Sequence, residues 1–187
     1  MARISDKNNR QVITNELRLS YANLFEPKSI NGSDEKYSVS LVIPKEDKET
    51  LELIQKAIEN AKEEGKTSKF GGKVPVGLKM PLRDGDTERD DEVYKNSYFI
   101  NANANASNPP GIVDKYGRKI EDSTEVYSGC YAKASITFYA FNSNGNKGIA
   151  CGLNNIMKVR DGEPLSGHTN ALDDFANDFE TTEDFLE

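Results

Sequence analysis

Tryptophan is absent, histidine occurs once, at His168, and cysteine twice, at Cys130 and Cys151. So few soft ligands, with no CxxC spacing, exclude a Cys/His zinc site, and no metal or cofactor is expected. A disulfide is excluded as well. If the strands carrying the cysteines form a hairpin turning near Asn144, Cys151 faces about Thr137, seven residues from Cys130. At roughly 3.3 Å per residue the offset exceeds about 20 Å. No apolar run reaches about 18 residues, and the opening MARISDKNNR carries no apolar signal segment, so neither membrane insertion nor secretion is expected. No Ser/His/Asp or Cys/His constellation forms around His168. Gly65-Lys66-Thr67-Ser68 imitates the end of a phosphate loop, but Asn60 stands where that motif needs glycine, and the segment follows a helix instead of starting one. The acids Asp84, Asp86, Glu88, Asp90, Asp91 and Glu92 lack the spacing of a calcium loop and read as a solvated segment.

What is present is lopsided. Residues 172–187 read LDDFANDFETTEDFLE, seven acids with no base, and Phe175, Phe179 and Phe185 stand among them. The chain holds 24 Lys+Arg against 31 Asp+Glu, so without this tail 24 of each remain. A block of like charge this dense is read as a disordered interaction tail. A merely solubilising tail has no need of three large apolar rings. They suit a partner groove, or imitate bases among phosphates. Residues 1–171 are then one domain with a sizeable core.

Along that domain, residues 11–25 alternate as a strand, with Leu17, Leu19 and Tyr21 on one face. An Asn31-Gly32 turn leads to a second strand, KYSVSLVIP, which stops at Pro44. From Asp47 to Glu64 the period becomes helical, with Asp47 as cap and Gly65 as stop. Residues 65–97 are a long connection with a short strand near Val74–Met80. YFINANANA follows, with Tyr98, Ile100, Ala102 and Ala104 facing inward and Phe99 and three asparagines outward. A strand turning at Tyr116-Gly117 comes next. In the strand from Val126 to Phe141 the even positions form a core face, and the odd positions present Tyr127, Tyr131, Lys133, Tyr139 and Phe141 with hydroxyls. NSNGN turns the chain, and Asn154-Asn155 marks a bulge on the return strand. Several antiparallel strands with one amphipathic helix predict a mainly β fold, a small barrel.

The odd face is chemically suggestive. Single strands of nucleic acid are held by cations along the phosphates and rings under the bases, each stack contributing roughly 1–3 kcal/mol. Packing of this strand on both faces is the alternative. Lys133, Ser135 and Thr137 weigh against it.

ELRLSYANLFEPK (16–28), KYSVSLVIPKEDKETLELIQKAIENA (36–61), PLRDGDTE (81–88) and VDKYGRKI followed by VYSGCYAKASITFYAF, in that order, resemble the single-stranded DNA-binding proteins of tailed-phage replication modules. The resemblance spans nearly the whole chain. It implies an OB-fold barrel that coats single-stranded DNA in replication and recombination. It also implies an acidic tail that competes with DNA and contacts phage or host replication proteins, in the cytoplasm of the infected bacterial host. Carried over residue by residue, it marks Lys133, Phe141, Arg118 and Lys119 for the groove; Tyr127, Tyr131, Tyr139 and Phe99 come from alternation alone. The tail contacts fall to Asp173, Asp174, Phe175, Asp178, Phe179, Glu180, Glu183, Asp184 and Phe185. Related tails often end on an aromatic residue, whereas this one ends Phe185-Leu186-Glu187. A non-enzymatic binding protein is expected. A metal-dependent nuclease and a non-binding structural phage protein with an OB-like barrel are the rivals, and a homodimer is left open.

Overall fold

The structure is a computed structural model that describes residues 1–29, 32–165 and 174–180. Its elements in chain order are β1 (Arg3–Ile4), β2 (Gln11–Ile13), β3 (Leu17–Lys28), β4 (Lys36–Pro44), α1 (Lys48–Ser68), β5 (Arg83–Asp84) and α2 (Gly85–Glu88). A 3-10 turn (Glu92–Tyr94), β6 (Ser97–Asn105), β7 (Gly111–Val113), β8 (Tyr131–Ser143) and β9 (Asn146–Arg160) complete the set. β3 pairs β4, β4 pairs β6, β6 pairs β9, β9 pairs β8, and β8 returns to β3, so five strands make a ring. The expected mainly β, OB-like architecture is present. It is not wholly antiparallel, however: β6 and β7 both run parallel to β9, because the chain crosses the ring before returning along it.

Alternation explains the core. On β8, Ala132, Ala134, Ile136 and Phe138 are buried and point into the ring, where Leu19, Leu41, Ile43, Ile100 and Ile156 meet them. The β8–β9 turn puts Asn144 (φ 52°) and Gly145 (φ 87°) in the left-handed region that a two-residue hairpin requires. Opposite Ser135 and Ile136 the register jumps from Asn155 to Leu153, so Asn154 is the extra residue of the expected bulge. Its amide donates to Thr137 Oγ1 at 2.9 Å. Cys151 pairs with Phe138, one residue from the expected partner, and both cysteines are free and buried.

The departures have local causes. β8 starts at Tyr131 instead of Val126, because Gly129 adopts φ 115° and a Cβ there would lie 2.1 Å from Glu163 O. Residues 161–165 cross at that point, fastened by Leu165 N–H to Ser128 O at 2.9 Å. The strand expected over 11–25 is broken at Thr14, whose buried hydroxyl accepts the Ala134 N–H. Tyr21 leaves the inner face because β3 shifts register there with φ 47°. Of the strand expected near Val74–Met80, only a bridge from Lys79 to Gly148 forms.

In α1, Leu51, Ile54, Ala57, Ile58 and Ala61 recur at three and four and are buried. Asp47 accepts from the Thr50 N–H, the expected N-cap. Gly65 does not stop the helix, which continues to Ser68. Its role is close approach: a Cβ there would sit 2.2 Å from Ala140 Cβ. Gly65→Ala is therefore expected to lower stability by about 1–3 kcal/mol through overpacking, against a helix-propensity gain of about 1 kcal/mol. Recovery of the thermal midpoint when Ala140→Gly is added checks the cause.

Candidate nucleic-acid interface

Strand register arranges the outward side chains of the ring in rows. One row runs Arg160, Tyr131, Arg18, Val42, Phe99 and Arg83 across six strands. The next holds Ser20, Ser40 and Asn101. A third runs Asn23, Ser38, Asn103, Gly152 and Thr137. Arginines and rings thus border a field of amides and hydroxyls, with Asn101, Asn103 and Asn105 exposed.

Charge is segregated in the same way. The five ring strands carry Arg18, Lys28, Lys36, Lys133, Lys147, Lys158 and Arg160 against a single acid, Glu26. The neutrality of residues 1–171 is therefore a balance between a cationic ring and acidic connections. Clefts and faces of one sign concentrate oppositely charged ligands.

The expected site residues divide. Tyr139 is 43 % exposed, and its Cε1 comes 3.7 Å from where a Cβ on Gly152 would stand. Phe141 lies across Gly148, where a Cβ would meet its ring at 2.8 Å. Both rings border one cleft with Arg10, Ser68, Lys69 and Asn142. Tyr131 carries the Arg160 guanidinium 3.7 Å from its ring centre, with Arg18 at 5.4 Å, so cations cover the ring. Lys133 lies in a separate depression with Arg3, Val113, Asn155 and Met157. Tyr127 turns inward: its hydroxyl donates to Gly162 O at 2.9 Å, and burial pushes its pKa up. It fastens the 161–165 crossing. Arg118 and Lys119 are exposed on the loop after β7, each beside an acid, Asp114 at 2.8 Å and Glu121 at 3.5 Å.

Phe99 requires a correction. Alternation places it outward, as observed, but it is 0 % exposed. Tyr94 meets it edge-on at 5.2 Å, Val42 packs beside it, and Arg83 and Arg89 lie 5.3 and 5.1 Å from its ring centre. No base can stack there. The outward position supports a second small core, over which Arg89 also reaches Tyr94 and the exposed Tyr21.

The segment that covers Phe99 is held by ions. Lys45 Nζ lies 2.8 Å from Asp84 and 2.7 Å from Asp86, and Asp86 also accepts the Asn96 N–H. These bonds depress both carboxyl pKa values and raise that of Lys45. Depressed carboxylates stabilise the fold above their unfolded pKa, about 3.9, and that contribution is lost as pH falls through the lower folded values. Lys45→Gln is thus expected to move acid-induced loosening of residues 81–96 to higher pH. Near-ultraviolet dichroism of Tyr94 reports it, and an unchanged acid limb refutes it. Among the described residues no group of three or more His, Cys, Asp or Glu side chains is placed to hold a metal ion.

A family model described as "Enterobacter phage Enc34, ssDNA-binding protein" matches residues 10–186. The chain belongs to this family. The Enc34 protein solved in complex with ssDNA shares the fold with a TM-score of 0.74 at 24 % identity, over 84 % of this chain and 90 % of that one. The single-stranded DNA-binding protein gp2.5 of bacteriophage T7 superposes with a TM-score of 0.59 at 19 % identity, over 92 % and 96 % of the two chains. A putative protein p50 of Acyrthosiphon pisum secondary endosymbiont phage 1 is 29 % identical over 160 residues, 82 % of this chain and 85 % of its own length. The family is the one that the ordered segments resemble.

Within this family member, sequence reasoning passed over Arg18, Tyr21, Arg83 and Arg89. Counting charge strand by strand would have drawn attention to Arg18. Arg89 stands in DTERDDE, where nothing local distinguishes it from a solvated residue. In the tail, Phe175 and Phe179 are exposed, whereas Asp173, Glu183, Asp184 and Phe185 lie outside the described residues.

Proposed function

We propose that this chain is a non-catalytic single-stranded DNA-binding protein of phage replication and recombination. On this reading, residues 1–171 bind the strand on the outer face of the ring. The observation that carries the reading is the ring's charge, seven Lys/Arg against one acid, joined to exposed rings and amides. Phosphates meet Arg18, Lys36, Lys133 and Arg89, bases stack on Tyr139 and Tyr21, and amides contact base edges without demanding one sequence. Arg118 and Lys119 extend the cationic border, their acids exchanged for phosphate. Residues 172–187 compete with the strand and recruit phage or host replication proteins in the cytoplasm of the infected bacterium. Family membership and the complex of the Enc34 protein with ssDNA support this reading.

Titrating fluorescent oligo-dT at several salt concentrations tests it. A log–log slope of about −0.7 per phosphate contact is expected, with the strand left intact in magnesium or manganese. Affinity indifferent to salt favours a structural role, and cleavage lost on carboxylate substitution favours a nuclease.

A further inference from the structure

From Gly65 to Leu82 the chain has four lysines, Lys66, Lys69, Lys73 and Lys79, and no acid. This segment leaves α1 and wraps the β8–β9 hairpin. Asn142 Nδ2 donates to Lys69 O at 3.1 Å, Lys79 N–H donates to Lys147 O at 3.1 Å, and Ile149 N–H donates to Lys79 O at 2.9 Å. The hairpin is itself free of acid: none occurs from Val126 to Arg160. Five lysines therefore gather around one corner of the molecule, and none is in an ion pair among the described residues. Towards the end of α1 Lys62 holds Glu59 and Arg10 holds Glu64, while Glu63 is in no ion pair among the described residues.

The corner is continuous with the ring face. The cleft between the last turn of α1 and β8, about 360 Å³, has Tyr139 and Phe141 on one wall and Lys69, Ser68 and the ion-paired Glu64 with Arg10 on the other. A ring wall facing a cation is what a stacked nucleotide with its phosphate requires. An unpaired lysine cluster is costly to gather by self-repulsion and gains from a polyanion laid across it.

The geometry points to a second phosphate-binding surface: the cleft and Lys66, Lys69, Lys73, Lys79 and Lys147 carry a DNA strand off the ring face and around the hairpin. The inference rests on the single-strand reading above. It makes the occluded strand longer than the sheet alone accounts for.

The test replaces Lys66, Lys73 and Lys79, which lie outside the Tyr139 cleft, together with glutamine in the full chain and measures binding to oligo-dT of about 8 and about 24 nucleotides, lengths chosen around the spread of OB-fold site sizes. All three side chains are exposed, so folding is expected to be unchanged, checked by the thermal midpoint. Lys7→Gln, Lys48→Gln and Lys56→Gln together, on exposed positions earlier in the chain, control for the same loss of three charges. The short strand is expected to bind as before. Binding of the long strand is expected to weaken, with a salt slope shallower by about 2, equivalent to roughly a hundredfold in affinity at 0.1 M against 1 M salt. Equal loss for both lengths, no loss for the long one, or the same loss in the control overturns the inference while leaving binding at the sheet intact. If the unaltered protein binds neither strand, it is the single-strand reading that fails.

Discussion

Tyr139→Ala and Tyr21→Ala are each expected to weaken oligo-dT binding by roughly 1–3 kcal/mol, about 5- to 150-fold, with little change in the thermal midpoint. Both rings are exposed, 43 % and 61 %; Tyr139 borders the cleft that Asn142 also lines, and Arg89 lies over Tyr21. Their removal takes away stacking area without opening the core. Phe99→Ala gives the opposite result. That ring is wholly buried against Tyr94 and Val42, so its loss is expected to cost about 3–5 kcal/mol of stability and to reach DNA only through the displaced Arg83 and Arg89. Tyr131→Ala lies between, because Arg160 covers the ring and loses its support. If Tyr139→Ala and Tyr21→Ala leave affinity unchanged in an otherwise folded protein, the outer face does not hold the bases.

The contrast between Tyr139 and Phe99 marks how far the sequence is legible. Period-two alternation gives the direction of a side chain, and it gave both correctly. It does not say what else lies on that side. Phe99 is covered by Glu92–Tyr94, a 3-10 turn in a stretch that reads as solvated, stapled down by Lys45 through Asp84 and Asp86. Gly65 illustrates the same limit: a glycine after a helical period reads as a stop, and only Ala140 on β8 reveals it as a close approach. The hairpin turn, the Asn154 bulge and the Asp47 cap were legible because each depends on neighbours within a few residues. The arginine row was not, since register across strands far apart in the chain assembles it. Nor was the parallel β6–β9 pairing, which depends on chain path.

Deleting residues 172–187 is expected to tighten single-strand binding about tenfold at low salt. Among the described residues, the backbone bond nearest the tail on the domain side joins Leu165 to Ser128, beside Arg18, whose guanidinium donates to Glu163 O at 2.8 Å. The tail is thus tethered at the end of the arginine row. The 22 residues after Leu165 can extend up to about 70–80 Å, ample to cross the ring face. A tether of this kind gives a local concentration on the order of 1 mM. If the tail binds the face with a dissociation constant of about 0.1 mM, it occupies about nine-tenths of free molecules, and DNA must displace it at a tenfold loss. Seven carboxylates against cations are screened by salt, so the gain on deletion is expected to shrink above about 0.15 M, where the Debye length falls to about 8 Å. Replacing Phe175, Phe179 and Phe185 by alanine keeps every charge and separates the two roles. Unchanged DNA affinity with lost capture of a phage or host replication protein assigns the rings to the partner, whereas DNA affinity rising as in the deletion assigns them to the groove. A truncated chain that binds DNA no better at low salt and keeps its partners would leave the tail only a solubilising role.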